Sequence, residues 1–140
     1  MVIIVNIIIR ESREEDYSRI SKMIDENFDL RYIGSKKVDN ITEYVAVMDD
    51  VVCGYFVFTK VHNMVCDYNY YLIDYVCTDV EYQGRGVATK MMEFAIEKAK
   101  ELKGKYIQLT SSDKRVIAHH IYEKLGYEKY DTNVFRRELV

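Results

Sequence analysis

The sequence has no proline, only six glycines and no tract of low complexity. Linkers rich in proline or glycine are therefore excluded, and no internal repeat divides the chain. With 49% hydrophobic and 31% charged residues, a chain of this length can bury one core. We expect residues 1–140 to form a single globular domain.

Cysteine is also scarce, since only Cys53, Cys66 and Cys77 are present. Their odd number and wide spacing exclude a disulfide framework and a zinc site built from closely spaced cysteine pairs. His119 and His120 are neighbours that diverge by about 100° on a helix, so they do not clamp one metal ion together. We expect no metal site and a reducing, cytoplasmic location.

The chain also lacks a large excess of positive or negative charge, since its formal net charge is −3 and its pI is about 5.6. Nucleic acids and anionic membranes attract proteins through a basic field, so we expect neither as a partner. The apolar run "MVIIVNIII" lacks a basic leading region and a cleavage site, and it is shorter than the roughly 20 residues of a membrane span. It is typical of a β-strand, which we place at residues 3–10.

What the sequence does contain is a succession of strand and helix patterns. The first helix follows with Ser12 as its N-cap and with Ile20, Ile24 and Phe28 at a spacing of four. Two β-rich runs around Asp49-Asp50 then predict a hairpin.

The second half of the chain continues this succession. It is predicted to contain a strand at 70–78, a helix from the second glycine of "QGRG" to Gly104, a strand at 105–110, a helix at 113–126, and two closing strands at 127–131 and 133–139. The apolar stripes of the two helices are Ala88, Met91, Met92, Ala95, Ala99 and Leu102, then Ile117, Ile121 and Leu125. The order β-α-β-β-β-α-β-α-β-β predicts an α/β (α+β) fold, a mixed sheet with helices packed on it.

Two of the few glycines, Gly84 and Gly86, flank Arg85 where the long helix begins. Free backbone N–H groups at a helix N-terminus bind anions, and glycines let a phosphate approach the amides closely. A plain turn is the alternative interpretation. The loop does not fit a P-loop, because Gly84 is not followed by the required Gly-Lys-Ser/Thr, and Thr89 stands where a dinucleotide fingerprint needs a third small residue.

A third kind of phosphate loop does fit. "QGRGVA" resembles the Gln/Arg-x-x-Gly-x-Gly/Ala signature of the GNAT superfamily of acyl-CoA-dependent N-acyltransferases. "VCTDVEYQGRGVATKMM" is similar to the strand, loop and helix of that family, and "AHHIYEKLGYE" to its second characteristic segment. The resemblance covers the whole chain in element order. It implies a mostly antiparallel central sheet, splayed in the middle, with helices on both faces.

The resemblance also implies acetyl-CoA as the acyl donor. The amides of Gly84 to Thr89 would hold its pyrophosphate, and the strand backbone at Val76 to Thr78 would pair with the pantetheine arm. Arg115 stands where the family usually has an asparagine that contacts this arm, and a basic side chain at a helix start suits either a phosphate or solvent. The implied cofactor-binding residues are Val76, Cys77, Thr78, Gln83, Gly84, Arg85, Gly86, Val87, Ala88, Thr89 and Arg115.

Two residues are candidates for the chemistry. Tyr122 matches the tyrosine that acts as general acid in the family, although a tyrosine on an amphipathic helix can also be a packing residue. Strand alternation predicts Asp74 on one face with Val76 and Thr78. Asp74 could bind the incoming ammonium or pass its proton to water, and the alternative is a polar residue beside a hydrated cleft.

Together these features predict an N-acetyltransferase that moves an acetyl group from acetyl-CoA to a primary amine of a small molecule. Direct attack in a ternary complex is expected, and a polyamine or an aminoalkylphosphonate is a candidate acceptor. A covalent route through Cys77 stays open, as do two other functions. One is a sensor or interaction module that binds acetyl-CoA without turnover, and the other is an acetyltransferase of protein N-termini or lysines. The chain would act as a monomer or a homodimer.

Overall fold

The computed structural model describes residues 6–34 and 37–140. The strands are β1 (Ile7–Glu11), β2 (Ile41–Met48), β3 (Val51–Asn63), β4 (Tyr68–Thr78) and β5 (Ile107–Leu109). The helices are α1 (Tyr17–Phe28), α2 (Val87–Glu101) and α3 (Val116–Lys124), and short 3-10 turns at Glu14–Asp16 and Val80–Tyr82 precede α1 and α2.

The five strands form one sheet in the order β1-β2-β3-β4-β5. All neighbours are antiparallel except β4 and β5, which are parallel and pair only between Tyr71–Ile73 and Ile107–Leu109. From Asp74 onward β4 pairs with β3 alone. The sheet is therefore open between β4 and β5, which confirms the predicted splayed and mostly antiparallel fold.

Helices pack on both faces of the sheet because each carries an apolar stripe at helical spacing. On one face, α1 buries Ile20, Met23 and Ile24 against Val45, Val52, Tyr55 and Cys77. On the other, α2 buries Val87, Met91, Met92, Ala95 and Ala99 against Ala46, Phe56, Phe58, Tyr71 and Ile73. Gly54 lets α2 approach β3 closely, since a Cβ there would lie 2.8 Å from the sulfur of Met91.

A bulge in β4 changes which side chains face which helix. The β3–β4 register shifts between Tyr55 and Val57, and Tyr75 has a positive φ of 54°. Val57 packs with the α1 cluster, so its partner Asp74 faces α1, whereas Val76 packs with the α2 cluster. The predicted common face for Asp74, Val76 and Thr78 is therefore wrong.

The first helix begins later than expected. The backbone N–H of Ser12 donates to the carbonyl of Glu43 at 2.8 Å, so Ser12 still belongs to the sheet edge and the prediction of Ser12 as N-cap is wrong. Arg13 is the N-cap of the 3-10 turn, and the Asp16 carboxylate accepts its N–H at 2.8 Å. The first strand is confirmed from residue 7, and residues 3–5 of the predicted strand lie outside the described residues.

The C-terminal predictions fail in two places. The structure has no strand in residues 127–140, all of which it describes, and Phe135 there is 94% exposed. Side chains with high β-propensity form a strand only beside another strand, and this segment has none. Ile117 is 79% exposed, and Leu102 lies beyond the end of α2 and is 46% exposed, so neither joins the buried stripe.

Candidate functional site

The loop between β4 and α2 is tied to α1 at its first residue. The carboxylate of Asp79, which is fully buried, accepts hydrogen bonds from Arg19 at 2.6 Å and from Lys22 at 3.0 Å. It also accepts the backbone N–H of Glu81 at 2.9 Å. Burial favours the neutral acid, but these three donors outweigh it, so the pKa of the Asp79 carboxyl is below its ordinary value.

The two loop glycines are needed for their backbone conformation. Gly84 has a φ of 76° and Gly86 a φ of 84°, in the region that side chains disfavour. A Cβ at either glycine would meet no atom within 4 Å. The space outside the loop is therefore open to a ligand, and the backbone can be approached directly.

Gly86 is also the N-cap of α2, and no side chain caps the helix there. The backbone N–H groups of Val87, Ala88 and Thr89 are the first of the helix, and none has a hydrogen-bond partner in residues 6–34 and 37–140. These donors and the positive end of the helix dipole favour an anion at this point. Arg85 stacks its guanidinium 5.0 Å from the centre of the Tyr82 ring, which keeps its charge beside the loop.

The free side of β4 forms one wall of the opening in the sheet. Val76 is half-buried against the α2 cluster, while Cys77 and Thr78 are buried. Burial raises the pKa of the Cys77 thiol to about 12, so this cysteine is a neutral thiol near pH 7 and a poor nucleophile. This argues against the covalent route.

The other wall contains Tyr122. Its ring packs against the α2 cluster, to which Val76 of β4 also packs, and lies 5.8 Å from the Tyr127 ring. Burial raises the pKa of the Tyr122 phenol, although Arg115 acts in the opposite direction. The phenol is therefore protonated at neutral pH, the state that a proton donor needs.

Tyr127, which the sequence suggested only as the start of a strand, belongs to this wall. Its hydroxyl is buried, and it has no hydrogen-bond partner in the part of the chain that the structure describes. Burial also raises the pKa of the Tyr127 phenol. No pattern in the sequence marks this residue, because its burial depends on how the end of α3 meets the sheet.

Arg115 connects the two sides of the opening. It is the N-cap of α3, and its guanidinium carbon lies 4.8 Å from the centre of the Phe28 ring at the end of α1. Phe28 in turn makes an edge contact with Tyr75, with ring centres 5.3 Å apart. Burial raises the pKa of both Tyr122 and Cys77, and the charge of Arg115 opposes that rise in each case.

Asp74 lies on the α1 face and is exposed. On the same face, the carboxylate of Glu43 accepts hydrogen bonds from the Tyr32 hydroxyl at 2.9 Å and from the Tyr55 hydroxyl. The pKa of Tyr55 is raised by burial and by this carboxylate. Glu43 was not predicted; the only sequence signal is an acidic residue in the otherwise apolar strand "ITEYVAVM".

His119, one of the two neighbouring histidines, is half-buried, and its Nε2 lies 3.2 Å from the Ser111 hydroxyl. Among residues 6–34 and 37–140, no group of three or more His, Cys, Asp or Glu side chains could hold a metal ion. The helices in those ranges include none that is long and apolar enough to cross a membrane.

The family model described as Acetyltransferase (GNAT) family matches residues 6–127. The chain belongs to the GNAT acetyltransferase family. As a member of that family it is an acetyltransferase, and acetyl-CoA is its acyl donor.

Solved structures show the same fold as this GNAT acetyltransferase. A transcriptional regulator from Bacillus halodurans C-125 has a TM-score of 0.85 at 23% identity and covers 95% of this chain and 100% of its own. An acetyltransferase from Trypanosoma brucei has a TM-score of 0.77 at 16% identity, and the match covers 96% of this chain and 100% of the Trypanosoma chain. An aminoglycoside N-acetyltransferase in complex with CoA has a TM-score of 0.77 at 15% identity, over 97% of each chain. No match is found among the curated proteins.

In this GNAT acetyltransferase, three kinds of chemical group lie along the opening. One end has free helix N–H groups for an anion. The middle has a strand edge with no strand beside it, whose backbone can bond to amides, between walls that carry a neutral phenol and the Arg115 cation. Carboxylates lie on the α1 face beside it.

Proposed function

We propose that the protein transfers an acetyl group from acetyl-CoA to a primary amine of a small molecule, by direct attack in a ternary complex. The observation that carries the proposal is that Tyr122 and Val76, which lies on the free edge of β4, pack against the same α2 cluster. The glycine loop lies at the N-terminus of α2. An acid, an extended backbone and an anion site would thus meet at one opening.

Acetyl-CoA would be held along this opening by its backbone. The pyrophosphate fits the N–H groups from Gly84 to Thr89, because the loop leaves open space above two glycines and the helix has no side-chain cap. The pantetheine amides fit the edge of β4 from Val76 to Thr78 as an added strand would, because no strand pairs with it there, although the Thr78 carbonyl already accepts a hydrogen bond from the Asn27 amide at 3.1 Å. Gln83 and Arg85 would flank the phosphates.

The chemistry requires two proton movements. An alkyl amine with a pKa of about 10 is mostly protonated at neutral pH, and only its neutral form attacks. The new bond joins the amine nitrogen to the carbonyl carbon, and the carbon–sulfur bond breaks. Tyr122 would donate its proton to the departing thiolate, while Asp74 or water would take the proton that the amine loses.

The assignment to Asp74 is supported by its place next to the bulge. The bulge at Tyr75 comes where β4 loses its neighbour β5, so Asp74 stands at the mouth of the opening and is exposed to an incoming amine. The phenol of Tyr122 and the carboxylate of Asp74 would thus meet the thioester from different sides. Neither group has to perform both proton transfers.

A second candidate function is a sensor that binds acetyl-CoA without turnover. The observation in its favour is that one similar structure, at 23% identity, is named a transcriptional regulator. A sensor has no use for a protonated phenol or for an acceptor site beside the donor. Acetyl-CoA would then bind to the glycine loop as proposed, but no thiol would be released when amines are added.

The two functions are separated by a panel of amines. Free CoA thiol is measured after adding polyamines, aminosugars, aminoalkylphosphonates, amino acids and a peptide with a free N-terminus to protein and acetyl-CoA. Release that depends on a small-molecule amine is the expected result. Release only with the peptide would point to a protein acetyltransferase, and none with any amine, despite tight acetyl-CoA binding, would point to a sensor.

A further inference from the structure

Two carboxylates stand at the ends of one row across the sheet. Glu43 of β2 is the Cα partner of Val57 of β3, and Val57 is the partner of Asp74 of β4. Directly opposed residues in antiparallel strands point to the same face, and the bond from Tyr55 to Glu43 shows that this is the α1 face. Since neighbouring strands are about 4.8 Å apart, the two acidic residues are about 10 Å apart along the row.

This row is not covered by α1. The row before it, formed by Val45, Tyr55 and Cys77, is fully buried under the helix. In the acidic row, Glu43 and Val57 are only half-buried and Asp74 is exposed. A shallow, partly apolar surface therefore leads from the mouth of the opening to Glu43, with a carboxylate at each end.

Neither carboxylate has a cationic partner among the residues that the structure describes. None of the ion pairs among residues 6–34 and 37–140 includes Glu43 or Asp74. The buried carboxylates Asp16 and Asp79, in contrast, are both paired with arginine. Glu43 is half-buried and accepts hydrogen bonds from two tyrosine hydroxyls, so its charge is available to a cation from outside the described residues.

The surroundings of Glu43 hold it ready for such a cation. The Tyr32 and Tyr55 hydroxyls both donate to its Oε2, which fixes the position of the side chain. Its Oε1 accepts no hydrogen bond in the described part of the chain, and it is not among the buried atoms that lack a partner. It is therefore open to solvent. The cation that α3 brings to this face, Arg115, stacks on Phe28 instead.

We propose that Glu43 binds a second ammonium group of the acceptor, so that the preferred acceptors are diamines with cations about 10 Å apart. The reacting amine lies at Asp74 and the other ammonium at Glu43, while Tyr32 and Tyr55 position the carboxylate. This inference rests on the proposed acetylation of small amines and names the class of acceptor. If the hydrogen bonds among Glu43, Tyr32 and Tyr55 only held Tyr32 on the sheet, a second charge on the acceptor would not change its kcat/KM.

The test compares hexamethylenediamine with hexylamine, which has the same chain and one ammonium fewer, and with ethylenediamine, whose two amines are too close together. The kcat/KM of the wild type should be at least about tenfold higher for hexamethylenediamine than for hexylamine or ethylenediamine, equivalent to about 1.4 kcal/mol. Glu43→Gln should remove that preference by lowering kcat/KM far more for hexamethylenediamine than for hexylamine. Glu97→Gln, a control on the outer face of α2 with a side chain 73% exposed, should behave as the wild type.

Either of two results would overturn the proposal: no preference of the wild type for hexamethylenediamine, or an equal loss by Glu43→Gln with both amines. Calorimetric titration of hexamethylenediamine into the protein and into Glu43→Gln supplies a readout that needs no turnover. Binding that depends on Glu43, without acetylation of any amine, would contradict the proposed reaction but support this site. Acetylation of hexylamine without tighter binding of the diamine would support the reaction and contradict the site.

Discussion

At the scale of single residues, the proposed chemistry depends most on Tyr122. It is half-buried, and burial keeps its phenol protonated. Tyr122→Phe removes one oxygen and little volume, so acetyl-CoA affinity and thermal stability should hardly change. We expect kcat to fall by about two orders of magnitude or more with the best amine, because the proton donor is lost.

Steady-state kinetics and calorimetry on the same preparation check this expectation. Turnover equal to that of the wild type would show that Tyr122 is a packing residue and that water protonates the thiolate. A parallel fall in acetyl-CoA affinity would instead assign the tyrosine to donor binding.

The proposed role of Asp74 makes a different prediction, because there its charge would face the acceptor rather than the donor. Asp74→Asn keeps the shape and removes the charge, so the KM of the amine should rise or the acidic limb of the pH–rate profile should move. The KM of acetyl-CoA should stay the same. A loss of about tenfold in kcat/KM, roughly 1.4 kcal/mol, suits one partly hydrated charge.

The matched control is Asp50→Asn in the turn between β2 and β3, where asparagine tolerates the positive φ of 64°. If the amine KM and the pH profile of Asp74→Asn both equal those of this control, Asp74 has no part in the reaction.

The residues of the site were predictable to different degrees. Gly84, Gly86 and Tyr122 lie in short motifs, and the structure places them at the helix start and in the wall of the opening. The orientation of Asp74 was not predictable, because the bulge at Tyr75 arises from the register of β3 against β4. Alternation within one strand contains no information on that register.

At the scale of elements, the glycine loop should tolerate no charge at its last position. Gly86 has a positive φ, so Gly86→Ala should cost about 1 kcal/mol in folding but leave space for the ligand. Gly86→Glu adds the same backbone strain together with a negative charge in the place of the phosphate. We expect acetyl-CoA binding to be lost in the glutamate variant and kept in the alanine variant.

Calorimetric titration of acetyl-CoA, with circular dichroism to show that both variants are folded, gives the answer. Equal affinity of the two folded variants would mean that the loop is an ordinary turn and that the pyrophosphate lies elsewhere.

The stability that the Asp79 contacts between α1 and this loop provide should depend on pH. The pKa of Asp79 is lower in the folded protein than its ordinary value, so its contribution is fully present above the unfolded pKa of about 3.9. The contribution is lost as the pH falls through the folded value. We expect Asp79→Asn to lower the free energy of unfolding by about 2 kcal/mol at pH 7 and by less in acid.

Thermal melts of the wild type and of Asp79→Asn between about pH 2 and pH 7 show whether the difference in stability between the two proteins becomes smaller as the pH falls. Asp16, whose pKa is also lowered, keeps some acid sensitivity in both proteins. A difference between the two proteins that is constant over the whole range would show that the ionisation of Asp79 does not stabilise the fold.

At the scale of the whole molecule, the order of elements was predictable up to α3. The reason is that α1 and α2 have complete apolar stripes and the central strands are rich in β-branched and aromatic residues. The two closing strands were not correctly predicted. A strand exists only when a partner lies beside it, and the pattern of residues 127–140 does not reveal whether one does.

The central claim is that an acetyl group passes from acetyl-CoA to an amine bound beside Asp74 and Tyr122. The most direct measurement uses acetyl-CoA with a deuterated acetyl group, the best amine from the panel, and mass spectrometry of the products. The account predicts one labelled acetyl group on the amine nitrogen for each free thiol released, with slow formation by Tyr122→Phe. Thiol release without an acetylated amine, or tight binding of acetyl-CoA without any release, would contradict it.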